Sequence, residues 1–418
     1  MRRPHDSTDR STVARHAHLP SPSRLSVGLK LTGIALSVVL VSAIAVAGYL
    51  VADFANRIGD GAVVLEGAPT VAPPALGPYP ADKSFDILVV GTDECGEISK
   101  QYLAERCEKV DDGIRNDVNL LVHVSAEPRN VTVVSFPRDL MVKVPSCTRE
   151  DGSTAPSSPR VAFNSLFDRA GVSCIVKTVS ELSGIPIGFA AKISFDGVIE
   201  ITDAIGGVEV CVAGKGIRDS QAGINLPPGT HTVSGPDALA FIRTRHGVGD
   251  ESDLARISNQ QQYMSRLAKK ILSAETLTDP AKVLRLATTV ADNIVPSESL
   301  NNALTLTQLG LALKDVPFSD FVFVQFPNGA DPADSDKVVP DEAAAEHLWQ
   351  ALIAGQPIAL SGDVATNSGV ELVTPAPTAP PVETATPTET PEVRTTLPPE
   401  ISGQSVDQET CSNGRQSK

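Results

Sequence analysis

Three apolar, β-branched runs set the strongest limit on what this chain can fold into: "FDILVVG" at 85–91, "VNLLVHV" at 118–124 and "VTVVSF" at 131–136. Such runs suit a pleated surface, and their near-continuous hydrophobicity is that of strands buried on both faces. The last two are joined only by "SAEPRN". That leaves no room for a crossover helix, so they are expected to pair antiparallel. Strands covered on both faces need helical layers. "SCIVKTVSELSG" (173–184) has apolar residues at 175, 176, 179 and 182 before a glycine stop, and "DLARISNQQQYMSRLAKKIL" (253–272) has them at 254, 257, 264, 267, 268, 271 and 272. "LTDPAKVLRLATTVADNI" and "SLNNALTLTQLGLAL" read as further helices and "FVFVQFP" as a late strand. The expected fold is α/β, an α-β-α sandwich around a central mixed sheet.

The ends differ in kind. Residues 31–52, "LTGIALSVVLVSAIAVAGYLVA", carry no charged side chain; a helix of that length spans a hydrocarbon core of about 30 Å. One transmembrane helix is therefore expected before the sandwich. Arg2, Arg3, Arg10, Arg15, Arg24 and Lys30 precede it against Asp6 and Asp9, while Asp53 and Asp60 follow, which keeps a basic tail (1–30) cytoplasmic and the remainder outside. A cleaved signal peptide ending at Ala45-Val46-Ala47 is the alternative, but the apolar run exceeds a signal's usual ~7–15 residues. Residues 53–83, with "EGAPTVAPPALGPYPADK", read as a Pro/Gly/Ala-rich spacer. The folded domain is placed at 84–361. Residues 362–418, with "TPAPTAPPVETATPTETPEVRTTLPP", read as a Pro/Thr-rich disordered tail.

The formal net charge is −15, and removing residues 1–30 leaves −19 for the rest. Such an acidic ectodomain is no nucleic-acid binder, so any basic cluster in it is local and purposeful. Six cysteines agree with an oxidising compartment. Cys95 with Cys107 and Cys147 with Cys174 each bracket a polar loop and are the favoured disulfides. A pairing of Cys211 with the distant Cys411 is a guess that no local feature supports. No C-x-x-C spacing suggests a thiol metal site.

Folding 118–124 back on 131–136 brings "RND" (Arg115, Asp117) beside "PRD" (Arg138, Asp139). If 85–91 runs parallel to 131–136, Asp93 of "GTDE" reaches the same edge, where α/β folds commonly bind ligands. Farther on, "FIRTRHGVGDESDLARISNQQQ" (241–262) supplies Arg243 and Arg245, then a helix with Asp253 and Arg256 in its first turns and Gln260 one turn on, on the face of Arg256. A helix N-terminus favours anions, and guanidinium forks add bidentate phosphate seats. Asp253 also reads as a plain N-cap. His123, His231 and His246 are scattered and read as structural.

In order and spacing, "VVGTDE", "RNDVNLLVHV", "VSFPRDLMV", "RVAFNSLF", "DAIGGVEVCV" and "LPPGTHTVSGPDALAFIRTRHGVGDESDLARISNQQ" resemble the LytR-CpsA-Psr cell-wall ligases, over roughly 84–273. "CIVKTVSELSG" and the paired cysteines look like the actinobacterial branch. Two positions depart from the pattern: Asn259 stands where a second arginine is common, and Ala162 where a basic residue precedes Asn164, with Arg160 nearby. The resemblance implies a membrane-anchored, extracytoplasmic, Mg²⁺-dependent phosphotransferase. Such an enzyme moves a glycopolymer from a polyprenyl-pyrophosphate carrier onto peptidoglycan through a phosphodiester bond. It implies Asp93 and Asp117 as Mg²⁺ ligands, and Arg115, Arg138, Arg243, Arg245, Arg256 and Gln260 as pyrophosphate contacts. Arg138, Asp117 and Asp253 are the expected catalytic residues, with Asp253 or Asp139 as proton acceptor. Carboxylates without histidines suit Mg²⁺. The alternatives are a non-catalytic regulatory or wall-binding protein and a polyprenyl-pyrophosphate phosphatase.

Overall fold

The computed structural model describes residues 24–59, 61–108, 113–373 and 394–416. Most of the basic tail and much of the Pro/Thr tract therefore lie outside the described residues. The chain divides into two compact units, Met1–Asp53 and Phe54–Lys418.

The uncharged run lies within helix α1 (Arg24–Gly59). Among the described residues no helix is long and apolar enough to cross a membrane; the side chains at 43–44, 46–47 and 50–51, inside that run, lie outside them.

The three apolar runs form β1 (Phe85–Thr92), β2 (Asn116–Val124) and β3 (Val131–Ser135). β2 pairs antiparallel with β3, as expected, and also with β1, so β1 and β3 point the same way. Next come α2 (Leu166–Ser183), ended by Gly184 in the left-handed region at φ 71°, and β4 (Phe189–Ile193), parallel to β1. β1 is striped: Leu88 and Val90 face a core with α2 side chains, whereas Phe85, Ile87 and Val89 face the opposite core. This period-2 division buries both faces.

A second sheet is built on β5 (Val208–Asp219), which pairs with β6 (Ile224–Leu226) and β7 (Gly229–Val233). α3 (Gly235–Arg243) and α4 (Asp253–Ile271) follow. The central sheet is then extended by β8 (Ile294–Pro296) beside β4 and by β9 (Phe321–Gln325) beside β3. Two further covering helices are α5 (Ala303–Leu313) and α6 (Glu342–Ala354). Leu348, Trp349 and Leu352 of α6 join the α2 core, and Leu309 and Ala312 of α5 join the opposite one. Helices cover both faces of a mixed sheet, which is the expected sandwich.

Two expectations are corrected. The stretch before Ser84 is no free spacer: Tyr79 is buried against Phe85 at 4.9 Å between ring centroids. Arg129 donates to the carbonyls of Tyr79 (2.9 Å), Pro80 (2.7 Å) and Lys83 (2.9 Å). A guanidinium's five donors suit such clustered carbonyls, so one buried side chain straps the segment down.

Nor is 362–418 a disordered tail throughout. β10 (Val370–Leu372), β11 (Gly403–Ser405) and β12 (Thr410–Gln416) are strands. β11 adds to β9 at the edge of the central sheet, and β12 lies parallel to β5, where Cys211 and Cys411 are joined. The partner strands lie far away in sequence, so local composition gave no sign of them. Cys95–Cys107 and Cys147–Cys174 are also bonded, as expected.

α4, finally, does not rest on an apolar stripe alone: Asn259, Gln261 and Gln262 are buried with Ile257 and Tyr263. Their amides find partners in strands and helix ends, which makes the burial tolerable. Gln262 donates to the Cys211 carbonyl at 3.1 Å, and Gln261 to Ser135 Oγ at 3.3 Å.

Candidate functional site

Asp93 and Asp117 meet where β1 ends and β2 begins. Asp93 Oδ1 accepts from the Arg115 main-chain N–H at 2.7 Å, and the Asp93 N–H donates to the Arg115 carbonyl at 3.0 Å. The Arg106 guanidinium pairs with Asp93 Oδ2. Burial raises the Asp93 pKa and the charge of Asp117 adds to the rise, against the Arg115 N–H and Arg106. Burial also pushes Asp117 up, but Arg138, Arg256 and Arg106 outweigh it and hold its carboxyl below the ordinary value.

Pro137 closes β3, and Arg138 then turns into the site: Nη1 donates to Asp117 Oδ1 at 2.9 Å, and Nε lies 3.4 Å from Asp139 Oδ2 and 3.6 Å from Asp253 Oδ1. Burial lowers the Arg138 pKa, but Asp117, Asp253 and Asp139 reverse this, so it is raised. Lys337 holds Asp139 from the other side at 2.6 Å.

The N-cap of α4 is Ser252, whose hydroxyl accepts from the Ala255 N–H, so Asp253 is not the cap. Its Oδ1 instead lies 2.6 Å from Arg256 Nη2 and 3.2 Å from Arg245 Nη2. Neither carboxylate oxygen has a hydrogen bond of good geometry, so these are charge contacts rather than aligned bonds, and Asp253 acts as a hub among guanidiniums.

Arg243 and Arg245 leave the end of α3, where Asp219 of β5 holds the turn. Asp219 Oδ2 accepts from the Thr244 hydroxyl at 2.8 Å and from the Arg245 and His246 N–H groups, each at 3.2 Å. Arg243 stacks over the Phe195 ring at 5.1 Å, and its buried Nη1 has no hydrogen-bond partner. Burial, then repulsion from Arg106, lowers its pKa to about 10. Burial and Arg256 likewise lower that of Arg245.

These side chains surround a cavity of about 740 Å³. Five guanidiniums line it, of Arg106, Arg138, Arg243, Arg245 and Arg256, against two carboxylates, Asp117 and Asp219. Val118, Ile193, Phe195, Val198, Leu239 and Ile242 form an apolar wall. An anion joined to an apolar chain fits such a lining. Residues 66–352 match the LytR_cpsA_psr family. The chain belongs to that family.

The Corynebacterium glutamicum relative named Cell wall biosynthesis protein LcpA is 30% identical over 306 residues, covering 67% of this chain and 57% of that protein. This chain thus spans little more than half of that relative's length. Bacillus subtilis TagT, named a polyisoprenyl-teichoic acid–peptidoglycan teichoic acid transferase, is 26% identical over 242 residues, 57% of this chain and 67% of TagT. Among solved structures, the LytR-Csp2A-Psr enzyme from Actinomyces oris is 25% identical with a TM-score of 0.50, covering 70% of this chain and 95% of that one.

In this family member the expected residues divide into two groups. Asp117, Arg138, Arg243, Arg245, Arg256 and Gln260 line the cavity; Asp93, Arg115, Asp139 and Asp253 do not. Asp93 and Asp253 stand behind the lining arginines, and Arg115 clamps Asp93 through its main chain. Gln260 donates to the Ile242 carbonyl at 2.8 Å, fastening α4 to α3. Arg160 pairs with Asp331 rather than with the site acids. Arg106 and Asp219 were not singled out in the sequence. Arg106 lies in the Cys95–Cys107 loop and Asp219 at a strand end in "IRDSQAG", and only proximity in space marks them.

Asp93 and Asp117 offer hard oxygen donors whose charges repel, a set that suits Mg²⁺ more than a soft metal. Among the described residues no group of three or more His, Cys, Asp or Glu side chains converges. A cation here would draw its remaining ligands from substrate oxygens and water.

Proposed function

We propose that the protein transfers a glycopolymer from a polyprenyl-pyrophosphate carrier onto peptidoglycan, forming a phosphodiester. The observation that carries this is a cavity lined both by five guanidiniums and by an apolar wall, where the Arg243 Nη1 donor is buried without a hydrogen-bond partner. A buried donor left unmatched is costly, and a pyrophosphate oxygen is the complement it lacks. The names of LcpA and TagT support the cell-wall setting.

In this mechanism Arg138, Arg243, Arg245 and Arg256 hold the pyrophosphate, and the apolar wall takes the first part of the prenyl chain. The acceptor hydroxyl attacks the phosphorus that carries the glycan. The bond from that phosphorus to the bridging oxygen breaks, and polyprenyl monophosphate leaves. Charge neutralisation and positioning supply most of the rate in such transfers. Asp117 orients Arg138, while Asp253 orients Arg138, Arg245 and Arg256 and is a positioning residue. Asp139, paired with Lys337, is the remaining candidate to accept the hydroxyl proton. Asp93 and Asp117 would hold Mg²⁺, which supplies further charge to the phosphate oxygens when bound.

We also read residues 31–52 as a membrane anchor with the catalytic unit outside the cell. The charge-free run, its basic flank and the three disulfides support that reading.

The test is a purified-chain assay with a polyprenyl-pyrophosphate oligosaccharide, Mg²⁺ and a peptidoglycan oligomer. Sugar on peptidoglycan together with lipid monophosphate is expected. Lipid phosphate without transfer would make the protein a phosphatase; tight lipid binding without turnover would make it a regulator.

A further inference from the structure

Arg106 belongs to none of the charged motifs quoted above. It precedes Cys107 in the loop between β1 and β2 that the Cys95–Cys107 bond closes. The loop is fastened to the domain: the Ile98 and Ser99 N–H groups donate to Asp196 at 2.9 and 2.8 Å, and Leu103 packs in the cluster of Phe195, Ile199 and Leu239. The Arg106 main chain is therefore held, while its side chain, 44% exposed, has room to change partner. It pairs with Asp93, which is almost buried, yet it also lines the cavity with four other guanidiniums.

We propose that Arg106 couples cation binding to pyrophosphate binding: it occupies Asp93 while the cavity is empty, yields that carboxylate to a divalent cation and turns to the substrate's phosphates. This rests on the reading of the site given above. Asp93 Oδ2 cannot contact a guanidinium and bind a cation in the same place, and the two positive charges repel at contact distance. Once displaced, Arg106 still shares the cavity lining with Arg138, Arg243, Arg245 and Arg256, and an anion bound there relieves the repulsion between them. Each ligand thereby favours the other, and the coupling is reciprocal.

The test titrates the full chain in detergent micelles with Mn²⁺ alone and, separately, with inorganic pyrophosphate alone in the presence of a chelator. Wild type, Arg106→Ala, Arg106→Lys and Arg243→Ala are compared by calorimetry. Arg106→Ala is expected to bind Mn²⁺ at least about threefold more tightly and pyrophosphate about tenfold more weakly, as the loss of one charge-assisted contact implies. Arg106→Lys should fall between it and wild type on both counts. A merely structural role would weaken both ligands together, so the opposite signs are the signature. Unchanged or weaker Mn²⁺ binding, or unchanged pyrophosphate binding, in Arg106→Ala overturns the inference. If Arg243→Ala loses pyrophosphate while Arg106→Ala behaves as wild type, only the inference fails. If wild type binds neither probe, the reading of the site fails and the inference with it.

Discussion

The side-chain amide of Asn259 donates to the main-chain carbonyl of Phe241 at 2.7 Å, one helix holding the end of another just before Arg243 and Arg245 leave it. The same side chain accepts from Ser412 Oγ at 2.5 Å, so the C-terminal strand bears on the arginines of the site.

Replacing Asn259 by Ala should therefore cost about 1–3 kcal/mol, because a buried carbonyl and a buried hydroxyl both lose a partner. Asn259→Arg should cost more, since position 259 is fully buried and a guanidinium there would have to be desolvated. Denaturant unfolding of the two variants measures this, and a stability equal to wild type for Asn259→Ala would show the contacts to be idle.

Arg138 bridges Asp117 and Asp253 with different nitrogens, which a lysine cannot do. Arg138→Lys should fold, as judged by circular dichroism, yet lower kcat by about 10²–10³, the usual loss for one preorganised donor set. Near-normal kcat in this variant would mean that charge alone suffices.

Asp219 supplies a pH dependence. Burial raises its pKa, but the Thr244 hydroxyl and the N–H groups of Ala222, Arg245 and Gln221 outweigh burial and bring it below the ordinary value. A carboxylate with a depressed folded pKa adds stability that is complete above its unfolded value near pH ~4 and fades as pH falls through the folded value. Acid titration of folding should show this loss in wild type and not in Asp219→Asn, which starts less stable. Parallel acid curves would refute the assignment.

Cys411 anchors β12 to β5 across 200 residues. Closing so long a loop restricts the unfolded chain, and Cys411→Ser should lose about 2–5 kcal/mol. Hydrogen exchange should at the same time quicken in α4, since Gln262 and Asn259 both bond Ser412. A melting temperature unchanged by the substitution or by reductant would show that packing alone holds the strand.

The sequence by itself determined the strands at 85–91, 118–124 and 131–136, their antiparallel turn, the glycine-stopped helix before Gly184 and two of the disulfides. It did so because hydrophobic period, connection length and loop-bracketing cysteines are local quantities. It also named four of the five arginines that line the cavity, through motif spacing and resemblance. Only the tertiary structure decided which of those residues face the cavity and which stand behind it. Arg115 and Asp253 look like ligands in a motif, yet one clamps Asp93 through its main chain and the other sits as a hub among guanidiniums. Tertiary structure alone revealed Arg106 and Asp219, and it moved the last strands from a presumed tail into the sheets. The reason is the same in each case: a hydrogen bond or ion pair depends on where two side chains meet in space, and for residues as far apart as Cys211 and Cys411 no local pattern carries that information.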